Sequence, residues 1–108
     1  MQPNTRLAQE EVFGPIVSVF KWRDEETMSK DFNGVDFGLT VSRWTQNLDT
    51  VHRAAKRILT GHLWINNASQ YFMGAPLGGV KQSGIGREEC FAKLLEFTYT
   101  KNINVKLS

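Results

Sequence analysis

The chain has 108 residues, 41% of them hydrophobic and 22% charged, and a net charge of +2. These values fit one small globular domain at most, with a core of limited size. So small a charge argues against nucleic acid or an anionic membrane as partner, and no apolar run approaches the ~18 residues a membrane span needs. Cys90 is the only cysteine, which excludes an internal disulfide and agrees with a reducing cytoplasm as the expected location. The cysteine and the two histidines, His52 and His62, lack metal-ligand spacing, so no metal site is expected. The opening M-Q-P-N-T-R-L-A-Q-E-E-V-F-G-P has no apolar h-region and does not read as a secretory signal.

Met1 to Gln9 is polar. A turn at Phe13-Gly14-Pro15 then leads into an expected strand, Ile16 to Trp22, rich in β-branched and aromatic residues. Asp24 suits the N-cap of a helix, with Glu25 and Glu26 in its first turn and Met28 and Phe32 on its buried face. Asn33-Gly34 is expected to end it, with glycine in the left-handed C′ position. Leu39 to Thr45 reads as a second strand. Asn47 caps the best-patterned helix, where Val51, Ala54, Ala55, Ile58 and Leu59 share one face and His52, Arg53, Lys56 and Arg57 take the other. Gly61 is expected to stop it, and His62 to Asn66 forms a short strand. Another helix is expected near Arg87, with Glu88, Glu89 and Cys90 in its first turn and Phe91, Leu94 and Leu95 as its apolar stripe. Thr100 to Leu107 alternates Ile103, Val105 and Leu107 against Asn102, Asn104 and Lys106, a strand pattern in need of a pairing partner. The order of elements predicts an α/β architecture.

The segment G-A-P-L-G-G-V-K-Q-S-G-I-G-R-E, Gly74 to Glu88, invites a reading as a phosphate cradle. Its five glycines (Gly74, Gly78, Gly79, Gly84, Gly86) fail both tests. A Walker loop requires lysine directly after its second glycine, and Ile85 follows Gly84. A dinucleotide loop requires a third glycine where Glu89 stands. Glycines also permit close backbone approach and positive φ, so a tight loop shaped beside a pocket is the better expectation.

Two long motifs carry a resemblance to one family. E-E-V-F-G-P, Glu10 to Pro15, resembles the E-E-[IV]-F-G-P of the NAD(P)-dependent aldehyde dehydrogenases. A-P-L-G-G-V-K-Q-S-G-I-G-R-E, Ala75 to Glu88, resembles their P-F-G-G-x-K-x-S-G-x-G-R-E. Between them, F-G-L at Phe37 and L-W-I-N at Leu63 are similar to the family's Y-G-L and V-W-V-N, in the same order. The resemblance implies that residues 1–98 are a C-terminal part of the catalytic domain. It implies that 99–108 form a terminal strand that pairs with an oligomerisation sheet, giving a homo-oligomer or a union with the rest of the enzyme. The parent activity implied is oxidation of an aldehyde to a carboxylic acid with NAD or NADP. The family's nucleophilic cysteine, oxyanion-hole asparagine, glutamate base and nucleotide-binding domain lie upstream of the matching part. Neither G-Q-x-C nor E-L-G-G occurs here, so no residue of this chain is expected to be catalytic and the chain alone is expected to be inactive.

The site residues follow residue by residue. Glu11 matches the glutamate that accepts hydrogen bonds from the nicotinamide ribose, a role suited to an acceptor-only carboxylate facing a diol. Without the motif, Glu10-Glu11 would read as a solvated acidic pair. Phe13 matches a residue near the nicotinamide ring, with ordinary core packing as its alternative. Asn67 to Leu77 matches the wall of the aldehyde tunnel, with Ser69, Tyr71 and Leu77 as wall residues. Tyr71 and Phe72 read equally as a hydrophobic plug. The family has phenylalanine at the position of Leu77 and tyrosine at that of Val80, so the pocket here is expected to be wider. Cys90 lies outside the nucleophile motif and reads as a structural thiol, and His52 and His62 have no nucleophile to serve. Two other readings stand beside this one: a non-catalytic interaction or subunit-pairing module derived from the family, and an unrelated small α/β binding domain.

Overall fold

The computed structural model describes residues 1–108. A single helical turn, α1 (Arg6–Gln9), precedes an irregular stretch, and the ordered body then begins at Asp24. Asp24 caps α2 (Glu25–Asn33): one carboxylate oxygen accepts the Thr27 N–H at 2.8 Å, the other the Thr27 hydroxyl at 3.0 Å. Met28 and Ser29 are its buried residues, whereas Phe32, expected on the same buried face, is 48% exposed. Gly34 ends α2 at φ −76, in the right-handed region, so the expected left-handed cap is not formed. Instead the Asn33 side chain donates to the Arg57 carbonyl at 2.7 Å and accepts the Leu59 N–H at 2.8 Å.

A short strand not expected from the sequence, β1 (Phe37–Gly38), precedes the one expected over Leu39 to Thr45, which forms as β2 (Thr40–Arg43) in a separate sheet. Asn47 caps α3 (Leu48–Arg57) by accepting the Thr50 N–H at 3.0 Å. Thr50, Ala54 and Ile58 are buried at a spacing of four, one stripe on the helix face. The helix ends at Arg57, before Gly61, because the Leu59 N–H is taken by Asn33, and Leu59 itself is 56% exposed. β3 (His62–Ile65) runs parallel to β2, from Thr40 opposite His62 to Arg43 opposite Ile65. Parallel neighbours need a crossover, and α3 supplies it. The small core of Met28, Ala54, Ile58 and Trp64 lies in this unit.

The glycine segment was not expected to contain a strand, yet β4 (Val80–Lys81) pairs antiparallel with β1. The last helix, α4 (Phe91–Glu96), starts later than expected, with Cys90 at its N-cap and Glu88 and Glu89 outside it. Its intended apolar stripe is exposed, with Phe91 at 70%. Neither flank forms a strand. Ile16 to Trp22 and Thr100 to Leu107 are irregular, and Val17 and Val105 stand largely in the open. A strand is made by its neighbour's ladder, and these segments have none. The chain consequently measures 74 × 33 × 25 Å with a radius of gyration of 19.1 Å. A compact domain of this length would have a radius of about 13 Å.

Candidate functional site

The glycine segment folds where backbone passes close to backbone. A Cβ on Gly61, just before β3, would lie 1.7 Å from the Gly78 carbonyl oxygen, and one on Gly78 would lie 2.3 Å from that of Gly86. No side chain fits between these chains, so glycine is required for close approach. Arg87 holds the loop from one side: a single guanidinium nitrogen donates to the carbonyls of Gly79 (2.9 Å), Gly86 (2.8 Å) and Ile85 (3.3 Å). Leu77 and Glu88 exchange both backbone hydrogen bonds, at 3.0 and 2.6 Å, which zips the loop's two arms together. Ser83 accepts the Gly38 N–H on its hydroxyl at 3.0 Å, tying the loop to β1.

This loop borders a cleft of about 380 Å³. Tyr71 and Leu77 stand on its wall beside Leu39, Thr40, Ser83 and Arg87. Tyr71 is braced from behind by β3. Its ring meets Trp64 edge-on at 5.6 Å between centroids and lies 6.5 Å from His62, while His62 and Trp64 are 4.6 Å apart. The Trp64 indole N–H donates to the Gln70 carbonyl at 2.7 Å, which fixes the start of the tyrosine's segment. Tyr71 is 49% exposed and Phe72 64%, so neither is a buried plug. Asn66, at φ +54, turns the chain out of β3 and bonds both backbone groups of Thr45 at 2.8 Å.

The other site residues named from the sequence lie elsewhere. Ser69, at φ +58, is exposed and does not line the cleft. Glu11 is exposed, and Phe13 is 95% exposed, so it is not a core residue of this chain. Arg87, Ser83 and the backbone of Glu88 were missed as builders of the cleft. Their only signal was membership of the glycine motif, which does not say which carbonyl or amide each one holds.

Arg87, Glu88 and Lys93 bring charge to the cleft, and a second charged cluster lies in the central unit. Glu25 bridges Arg53 at 2.8 Å and Arg43 at 3.4 Å, joining α2 to α3 and β2. The hydrogen bond from Arg53, and then the positive charge of both arginines, holds the Glu25 carboxyl below its ordinary value, despite some opposing desolvation. The same bond raises Arg53. Asp24 is lowered chiefly by the Thr27 N–H it caps. Arg43 also stacks over the Trp22 ring at 5.0 Å. The void among these side chains is only about 10 Å³, too small for a ligand. No group of three or more histidine, cysteine, aspartate and glutamate side chains could hold a metal ion, and no helix is long and apolar enough to cross a membrane.

Residues 1–103 match the aldehyde dehydrogenase family. The chain is 39% identical over 105 residues to aldehyde dehydrogenase tropH of Talaromyces stipitatus, covering 97% of this chain and 20% of that protein. It is 39% identical over 104 residues to human retinaldehyde dehydrogenase 3, covering 96% and 20%. Among solved structures it superimposes on an NAD+ complex of an aldehyde dehydrogenase from Bacillus cereus with a TM-score of 0.86 and 35% identity, covering 100% of this chain and 22% of that one. Apo betaine aldehyde dehydrogenase from Staphylococcus aureus gives 0.86 and 36%, covering 99% and 22%. The chain thus spans about a fifth of the length of the curated relatives it matches.

Proposed function

Because this chain belongs to the aldehyde dehydrogenase family, we propose that it is the C-terminal portion of an enzyme that oxidises an aldehyde to a carboxylic acid with NAD or NADP. The observation that carries this reading is the superposition of the whole chain on a segment of an enzyme whose structure is an NAD+ complex. In this reading Glu11 and Phe13 serve the cofactor, and Tyr71 and Leu77 shape the aldehyde's approach, with Ser69 on the same segment but outside the cleft.

The chemistry of Glu11 fits a nicotinamide ribose. An exposed carboxylate offers two acceptor oxygens to the two hydroxyl donors of a diol. Phe13, equally open, offers a flat apolar face. When bound, the nicotinamide supplies the hydride acceptor. The chain's own contribution is to orient and exclude: a carboxylate for the ribose, an aromatic face, and a cleft wall braced by Trp64. The reaction also needs a thiolate nucleophile and a general base. The only thiol here is Cys90, at the N-cap of the six-residue α4 and followed by neither a paired base nor an oxyanion donor set. The 108 residues alone are therefore expected to show no turnover.

The test has two parts. The purified 108-residue chain is assayed for NADH formation with a panel of aldehydes, where the expected rate is nil. Glu11→Gln is then made in the native protein that carries this segment. There it is expected to raise the cofactor KM roughly tenfold, the cost of a lost charge-assisted hydrogen bond. Turnover by the isolated chain, or an unchanged cofactor KM, overturns the assignment.

A second reading is favoured by the exposed apolar residues of the flanks, among them Val17 (84%), Val105 (75%) and Leu107 (89%). Open apolar segments with strand-like alternation seek partners. The chain would then act as a subunit-pairing module through residues 99–108. Co-purification of the 108-residue chain with a full-length relative, lost on Val105→Asp, would support it; a monodisperse monomer would not.

A further inference from the structure

Lys81 occupies a costly backbone position. It stands at φ +56, in the left-handed region that disfavours any residue with a Cβ, although it is part of β4. Its ammonium donates to the carbonyls of Asn33 and Val35, each at 2.8 Å. Those carbonyls lie at the C-terminal end of α2, where the helix leaves oxygens unpaired and its dipole is negative. A cation there is doubly favoured. Asn33 in turn grips the end of α3 through Arg57 and Leu59. The seam continues just after Lys81: the Gln82 N–H donates to the Asp36 carbonyl at 3.0 Å, and the Gly38 N–H to the Ser83 hydroxyl at 3.0 Å.

The cleft is built from both directions off this lysine. Leu77, Gly78 and Gly79 line it just before β4, and Ser83 and Gly84 just after. Lys81 itself does not line it. One ammonium therefore fastens the loop that forms one wall to the end of α2, which the Asn33 side chain ties in turn to the end of α3. We propose that Lys81 is a positioning residue for the aldehyde cleft, acting through the backbone of residues 77–84 rather than by contact with substrate. This rests on the aldehyde dehydrogenase reading for its kinetic consequence, and on the hydrogen bonds alone for its structural one.

The test uses the native protein that carries this segment, with Lys81→Met, which keeps chain length and removes every donor, and Lys81→Arg, which keeps the charge. Amide hydrogen exchange across residues 77–84 is expected to quicken roughly tenfold in Lys81→Met, the loss of a hydrogen bond from a charged donor. The aldehyde KM is expected to rise by about the same factor, while kcat and the cofactor KM move by less than about twofold. Lys81→Arg is expected to recover part of both effects. Unchanged exchange in Lys81→Met overturns the proposal. So does an equal loss in kcat and both KM values without rescue by arginine, which would mark Lys81 as a stability residue only. A wild-type protein that oxidises no aldehyde would overturn the family-based function instead, and the exchange measurement would still decide whether Lys81 holds the loop.

Discussion

The central unit, Asp24 to Asn66, and the two flanks, Glu10 to Trp22 and Thr98 to Ser108, are made of similar residues and end in different states. The centre buries Met28, Ala54, Ile58 and Trp64 to within 6–7% exposure. The flanks leave Phe13, Val17, Tyr99 and Leu107 at 84% or more. Apolar alternation is at least as clear in Ile103-Val105-Leu107 as in β3. What differs is the distance to a partner. β2 and β3 are joined by one helix whose cap lies three residues from the amide it satisfies. Neither flank finds a ladder within the chain. A hydrophobic pattern tells which face is to be covered and is silent about what covers it.

The largest test of this contrast compares one residue from each region. Trp64→Ala removes a buried ring and the indole hydrogen bond to Gln70, and is expected to cost about 3–5 kcal/mol in urea unfolding followed by circular dichroism. Val105→Ala, 75% exposed, is expected to stay within about 0.5 kcal/mol. Equal losses would break the comparison. A pair of glycines sharpens it further. A Cβ on Gly61 would collide with the Gly78 carbonyl, so Gly61→Ala is expected to cost about 1–3 kcal/mol. Gly14 has nothing within 4 Å of a built Cβ, and Gly14→Ala is expected to be neutral or stabilising by about 0.4–1 kcal/mol in the same assay.

This division also explains what could be read in advance. Asp24 and Asn47 were legible as caps because a cap's partner lies three residues away. Removing either side chain (Asp24→Ala, Asn47→Ala) is expected to cost about 1 kcal/mol, a smaller effect than the core changes. The strand β1 just before β2 was not legible, since it depends on Phe37 and Gly38 meeting Lys81 and Val80 more than forty residues later. Nor was β4, a two-residue strand inside a segment whose glycines suggested only loop. In the site, Tyr71 and Leu77 both line the cleft, but Ser69, two residues from Tyr71 and at φ +58, is exposed and lies outside it. Glu11 and Phe13 lie on an exposed flank, so only the motif identified them.

The smallest effect concerns pH, and its sign follows from the ion pairs of the centre. Asp24 and Glu25 are held below their ordinary values of 3.8 and 4.5 by the Thr27 cap and by Arg53 with Arg43. The unfolded chain therefore takes up protons at higher pH than the folded one. The stability these carboxylates contribute is present in full above about pH 5 and is lost as pH falls through their lowered folded values. Glu25→Gln should flatten part of that acid slope and should matter little at pH 7 in high salt, because Arg53 is 44% exposed and its attraction is screened. Unfolding midpoints measured from pH 3 to 7, with and without 1 M salt, decide it. If the acid slope survives Glu25→Gln intact, the arginine bridge is a by-product of helix packing, and the buried stripe of Thr50, Ala54 and Ile58 with the Asn33 hydrogen bonds sets how α3 meets α2.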